Sequence, residues 1–196
     1  NSLVTAHQYD VTNYLHQGEN TIAIRIDNRP ETVNVGNDSH SITDQTQGDW
    51  NGIVGRIELQ QTSATHITDL QVFPDIDKQE ALVKLQVVGK PKSKYTLTLH
   101  ASSNEIEGGY SEGRVETTVT LTSDTTLFEY PVKLKNMKLW DEFHPYTYTL
   151  TALLSKKKST VDFPGITFGM RKIEIRGKMF YVNGREVQLR GTVEKS

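Results

Sequence analysis

Cysteine is absent from all 196 residues, which removes disulfides, thiolate nucleophiles and cysteine-ligated metals from consideration. This leaves the compartment open, because many exported bacterial proteins also lack cysteine. Long apolar runs are missing too: no segment has the ~18 consecutive apolar residues that a membrane-spanning helix needs. The opening residues, "NSLVTAHQYD", have neither the basic start nor the apolar centre of a secretory signal. They also lack an initiator Met, so the chain reads as processed or excised. No sign of charge dominates. With 22 basic and 24 acidic residues the net charge is −2, which gives no electrostatic bias towards nucleic acid or an anionic membrane. The one dense basic run, Lys156-Lys157-Lys158, lies between two strand-like segments and reads as a solvated loop. Helical periodicity is scarce: no ten-residue stretch carries a 3.6-residue apolar stripe, and only short turns over 11–15 and 138–142 are expected.

What the sequence does contain is alternation. In "NTIAIRIDN", Ile22, Ile24 and Ile26 point one way and Thr21, Ala23 and Arg25 the other. A half-buried strand is built this way, because successive side chains face opposite sides of a sheet. The pattern returns over 53–59, 70–73, 81–87, 95–101, 115–121, 128–134, 146–154, 173–175 and 179–189. Turn-rich pieces such as "HQGEN", "TSD" and "LSKKKS" separate the runs. About ten short strands at this spacing predict an all-β chain of sandwich type. The evenly spaced strands between about 66 and 172 suit an immunoglobulin-like β-sandwich that relies on its core alone. The block before it has too few strands for a sandwich of its own and reads as the tail of another domain. The last block, 173–196, reads as the start of one. Within it, Asn183-Gly184 between alternating segments predicts a two-residue type I′ hairpin turn, with positive φ at both positions.

Motifs of catalytic chemistry are few. There is no G-x-G-x-x-G, phosphate loop or H-x-x-x-H. Asp75, Asp77 and Glu80 in "PDIDKQE" look like a piece of a calcium loop without its Gly or remaining ligand spacing, and read as a solvated turn. His40 with Asp38 and Asp44 does not define a coordination sphere. The long polar stretch "NRPETVNVGNDSHSITDQTQGDWNG" breaks the strand rhythm, as functional loops do, and its second half is the best binding candidate.

Four stretches together resemble one family, the family-two glycoside hydrolases. "YDVTNYLHQGENTIAIRIDN" is similar to the last strands of that family's jelly-roll sugar-binding domain. "GDWNGIVGRIELQ" is similar to its tryptophan-containing loop and final strand. "LKNMKLWDEFHPYTYTLTALL" resembles a signature of the immunoglobulin-like second domain, and "FGMRKIEIRGKMFYVNGREVQLRGT" the junction with the catalytic (β/α)8 barrel. The resemblance implies a jelly-roll remnant over 1–62, an immunoglobulin-like sandwich over 63–172 and a barrel-entry hairpin over 173–196. The family cleaves β-glycosides with retention through two Glu residues about 5 Å apart. Both belong to later barrel strands, so no catalytic residue is expected here. Asn104-Glu105 has the family's Asn-Glu pairing but falls in the polar loop "SSNEIEGG".

The resemblance further implies that the polar loop meets the terminal sugar. Asp49 and Trp50 are its first candidates, because a carboxylate accepts sugar hydroxyls while an indole stacks on a sugar face. Asp44 rivals Asp49 for the acid, and His40 joins the candidate set. The structural alternative is a loop held by Asx turns with Trp50 packed beneath it. Arg190-Gly191 corresponds to the family's first barrel strand. The expected role is thus a non-catalytic scaffold of a retaining β-glycosidase, β-galactosidase-like, acting on carbohydrate with no cofactor, no nucleic acid and no membrane span. The family favours a periplasmic or secreted location. The alternative is a stand-alone carbohydrate-binding or adhesive β-sandwich module; a plain immunoglobulin-like spacer is the third reading.

Overall fold

The computed structural model describes residues 7–26, 52–53, 55–103, 109–157 and 159–191. The chain divides into two compact units, Asn1–Leu59 and Gln60–Ser196. The fold is all-β: among the described residues the sole helical element is one 3-10 turn, Thr12–Tyr14.

In the first unit local polar contacts dominate. Asp10 accepts from the Thr12 N–H at 2.9 Å, an Asx turn that starts the 3-10 turn. Asn20 closes the "HQGEN" loop, accepting from the His16 N–H and donating back to the His16 and Gly18 carbonyls. The strands expected over 21–26 and 53–59 do not form among the described residues. Ile22 stays 64% exposed and Ile57 67%. Alternation prepares a strand, but a strand exists only when a neighbour completes its hydrogen-bond ladder, and the described residues provide none here.

The described residues of the second unit form eleven strands: β1 (His66–Asp75), β2 (Glu80–Val88), β3 (Lys94–Ser103), β4 (Glu112–Thr120), β5 (Thr125–Lys133), β6 (Tyr148–Lys156), β7 (Ser159–Asp162), β8 (Gly165–Phe168), β9 (Ile173–Arg176), β10 (Met179–Val182) and β11 (Arg185–Val187). One antiparallel sheet runs β1-β2-β5. A second runs β4-β3-β6, with β7 and β8 sharing the far edge of β6. Phe163-Pro164 separates those two short strands. Pro164 has no N–H to give the ladder, although its carbonyl still accepts from Ala152 at 3.0 Å.

The inward rows meet between these sheets. Ala81, Val83, Leu85 and Val87 of β2 face Tyr95, Leu97, Leu99 and Ala101 of β3 and Tyr148, Leu150, Ala152 and Leu154 of β6; all are buried. Full burial stabilises a Val or Leu side chain by about 1.5–3 kcal/mol, so these rows hold the sandwich without a covalent cross-link. Tyr148 is wholly buried, yet its hydroxyl is satisfied: it accepts from the Lys138 N–H at 2.8 Å and donates to Ser111 Oγ at 2.9 Å. Its ring stacks on Phe168 with centroids 5.4 Å apart. At one end the sheets come very close: a Cβ added to Gly113 would lie 2.2 Å from the Lys133 carbonyl oxygen.

β9, β10 and β11 form a separate three-stranded antiparallel sheet. Asn183 and Gly184 have φ of 52° and 80°, the type I′ geometry expected from their sequence. The cross-strand pairs place Ile173, Ile175, Phe180, Val182, Arg185 and Val187 on one face, and Glu174, Arg176, Met179, Tyr181 and Glu186 on the other. The second face is laced by charge: Arg176 pairs with Glu174 at 2.9 Å and lies over the Tyr181 ring. The first face remains open, with Ile175 68% and Phe180 42% exposed.

Candidate functional site

The residues that join sandwich and hairpin form a polar arrangement linked by several side-chain hydrogen bonds. It begins in the loop 140–145. A helical turn is expected over 138–142, but Asp141 organises the chain differently. Its Oδ1 accepts from the N–H groups of Phe143 and His144 at 2.9 and 2.7 Å. These bonds, those from His144 foremost, hold the Asp141 carboxyl below the usual carboxylate range. Trp140 and Pro145 pair across the loop as an isolated antiparallel bridge.

Trp140 is half-buried and surrounded by the segment leaving β8. Its N–H donates to the Met170 carbonyl at 2.9 Å, and the Arg171 guanidinium lies 4.6 Å from its ring centroid. Gly169, the small residue in "FGMR", lies directly against the Trp140 side chain. A Cβ on Gly169 would lie 3.0 Å from the Trp140 Cβ.

The hairpin turn reaches this loop through Asn183. Its main-chain N–H donates to the Lys172 carbonyl and its Oδ1 accepts from the Lys172 N–H, both at 2.9 Å. Its Nδ2 donates to the Trp140 carbonyl at 2.9 Å. Two residues on, Arg185 pairs with Glu142 and lies 5.4 Å from the Phe143 ring centroid. The Arg185 hydrogen bond is the leading reason the Glu142 carboxyl is lowered. These side-chain links left no sequence pattern, because their partners are backbone groups or distant residues. The Asn-Gly pair announced only the turn.

Near the β1–β2 turn, an open depression of about 320 Å³ is lined by Phe73, Asp75, Asp77, Glu80, Leu82 and Lys172, among others. Its carboxylates have local duties. Asp75 accepts from the Lys78 N–H at 3.0 Å, which is the main reason its carboxyl is lowered, and Asp77 pairs with Lys172 at 2.8 Å. No group of three or more His, Asp or Glu suited to a metal ion occurs among the described residues.

The sugar-contact candidates His40, Asp44, Asp49 and Trp50 lie outside the described residues, as does Asn104-Glu105. Arg190 is described: it is exposed, past the end of β11. The strand expected to run to Leu189 stops at Val187, and Leu189 is 77% exposed.

Comparison with known proteins places this architecture. The family described as Glycosyl hydrolases family 2 matches residues 65–171, more than half of the chain. Over 93% of its length the chain is 28% identical to a Formosa agariphila protein given the provisional name beta-glucuronidase, and covers 21% of that protein. It is 25% identical to a Beta-galactosidase of Oenococcus oeni, over 94% of this chain and 18% of that one. It thus spans about a fifth of the length of these relatives. Among solved structures, a glycosyl hydrolase family 2 member from Bacteroides cellulosilyticus superposes with a TM-score of 0.53 at 21% identity, covering 66% of this chain and 19% of that one. This likeness concerns the fold alone.

Proposed function

This chain belongs to glycosyl hydrolases family 2, and from that premise we propose that it is the non-catalytic scaffold of a retaining β-glycosidase. In this reading residues 1–62 end a jelly-roll sugar-binding domain and 63–172 form the immunoglobulin-like sandwich. Residues 173–196 then lead into a catalytic (β/α)8 barrel. The observation that carries the reading is the β9–β11 sheet: it is tied to the sandwich loop through Asn183 and Arg185 while the apolar side chains of Ile173, Ile175 and Phe180 stay exposed. Such a face suits a following domain that covers it.

The reaction would use two carboxylates about 5 Å apart supplied by that barrel. The scaffold's contribution is placement, since small errors in the geometry of a site cost large factors in rate. Asp49 or Asp44 would accept hydroxyls of the terminal sugar, Trp50 would stack on its face and His40 would border the site. The substrate class is a β-glycoside; the named activities of the relatives make β-galactosides and β-glucuronides the first to try.

The test compares this 196-residue chain with the longer protein that contains it, on aryl β-galactosides and β-glucuronides. Turnover by the longer protein and none by the chain is expected. Comparable turnover by the chain would overturn the reading. Titration calorimetry against a sugar panel addresses the carbohydrate-binding alternative: binding by the isolated chain that is lost in Trp50→Ala would favour that module instead.

A further inference from the structure

We infer that Asn183 is a positioning residue: beyond shaping its turn, it fixes the orientation of the β9–β11 sheet on the sandwich. The turn itself asks little of position 183. Positive φ is all that a type I′ geometry requires there, and Gly supplies it. The structure makes a second demand. The side chain must accept from one backbone group, the Lys172 N–H, and donate to another, the Trp140 carbonyl, both at 2.9 Å. A primary amide does both from separate atoms, an acceptor oxygen and a donor nitrogen, and so spans two backbone groups at once. These two backbone partners also fix which end of the amide is oxygen.

The surroundings support this role. None of β9, β10 or β11 makes an extensive strand contact with β1–β8, so sheet packing does not set their orientation. Attachment passes instead through the covalent segment 169–172 and through contacts that converge on the loop 140–145. That loop is stiffened from within by the Asp141 turn. Arg171 covers Trp140 on one side, and Arg185 reaches Glu142 and Phe143 on the other. The exposed Lys172–Asp77 pair adds little, as surface ion pairs do. Among the described residues, Asn183 is the side chain that bonds both the departing chain and the receiving loop through short hydrogen bonds to backbone groups. It therefore acts as a latch between the β9–β11 sheet and the sandwich loop.

The absence of cysteine makes the test direct, because Lys178→Cys and Thr118→Cys introduce a unique pair of spin-label sites, one at the tip of the β9–β10 turn and one on β4. Pulsed electron spin resonance then reads the distance distribution between sheet and sandwich. In the Asn183→Gly background the turn is retained and both side-chain bonds are cut. The distribution is expected to become about twofold wider as alternative orientations are populated. Amide exchange at Lys172 is expected to accelerate about threefold to tenfold, the equivalent of one neutral hydrogen bond. Exchange within the β10–β11 ladder should stay unchanged. Asn183→Asp keeps the acceptor but turns a carboxylate oxygen towards the Trp140 carbonyl; it should widen the distribution while preserving Lys172 protection. A distribution that stays narrow in both variants would overturn the inference. So would loss of β10–β11 protection in Asn183→Gly, because Asn183 would then be a turn former only. Neither measurement depends on glycosidase activity, so the outcome is separate from that of the scaffold reading.

Discussion

Tyr148 shows what a single buried polar atom demands. Its ring contributes to the apolar row of β6, and its hydroxyl, deep in the core, joins the Lys138 N–H to Ser111 Oγ. Tyr148→Phe keeps the ring and its stacking on Phe168 but removes both bonds from a site that water does not reach. The expected cost is about 1–3 kcal/mol, read as a lower midpoint in denaturant with an unchanged slope. Asp141 poses a question of pH. Its folded-state carboxyl is lowered by the His144 and Phe143 N–H groups, so its contribution is complete above the ordinary carboxylate value. That contribution is lost as pH falls through the lowered, folded one. The loop 140–145 should therefore hold at neutral pH and open only in acid, below about pH 4. The Glu142–Arg185 link fails in the same direction, since Glu142 is also lowered. The amide shifts of Phe143 and His144, followed by NMR, should titrate with a midpoint below that of a free Asp side chain. A midpoint at or above it would contradict the assignment.

At the scale of the element, most of the sandwich was legible in the sequence. The segments 81–87, 95–101 and 146–154 alternate cleanly because a two-sheet core buries every second residue. The β7–β8 edge was harder to read. Ser159–Asp162 carries one apolar residue, Val161, and Pro164 interrupts the rest, so no run of alternation survives. The opposite failure occurred at 21–26, where alternation is complete but the described residues supply no partner strand. The site divides similarly. Asn183-Gly184 announced a turn through its local conformational requirement, whereas the Trp140 and Lys172 bonds of Asn183 depend on where the fold carries distant backbone. Gly113 was equally silent: only the approach of β5 reveals that it must be Gly. In Gly113→Ala the new methyl would meet the Lys133 carbonyl oxygen, part of the backbone and unable to swing aside. A loss of about 1–3 kcal/mol or more is expected, visible as a fall of several degrees in the thermal midpoint.

For the molecule as a whole, the open face of the β9–β11 sheet is the feature with the widest reach. Ile175 and Phe180 are cross-strand partners, and Val187 pairs with Phe180 from the other side. Replacing Ile175 and Phe180 by Thr keeps strand preference while removing most of that apolar surface. In this chain the double variant should bind less of a hydrophobic dye, with little change in thermal midpoint. If a catalytic barrel follows as proposed, the same change in the protein that carries it should lower the midpoint, because there it would remove a buried contact. An equal, small effect in both would argue that nothing covers this face.

The interruption at Phe163-Pro164 has a consequence at the rim of the sandwich. A continuous outer strand would offer an approaching chain a long row of vacant N–H and C=O groups on which to add itself. Here the rim of the β6 sheet is divided into two four-residue pieces, Ser159–Asp162 and Gly165–Phe168, with a residue between them that cannot donate. An intruding strand would find no template long enough to hold it. The break that hid this edge from the sequence pattern thus also shortens the template that this one rim offers to another chain.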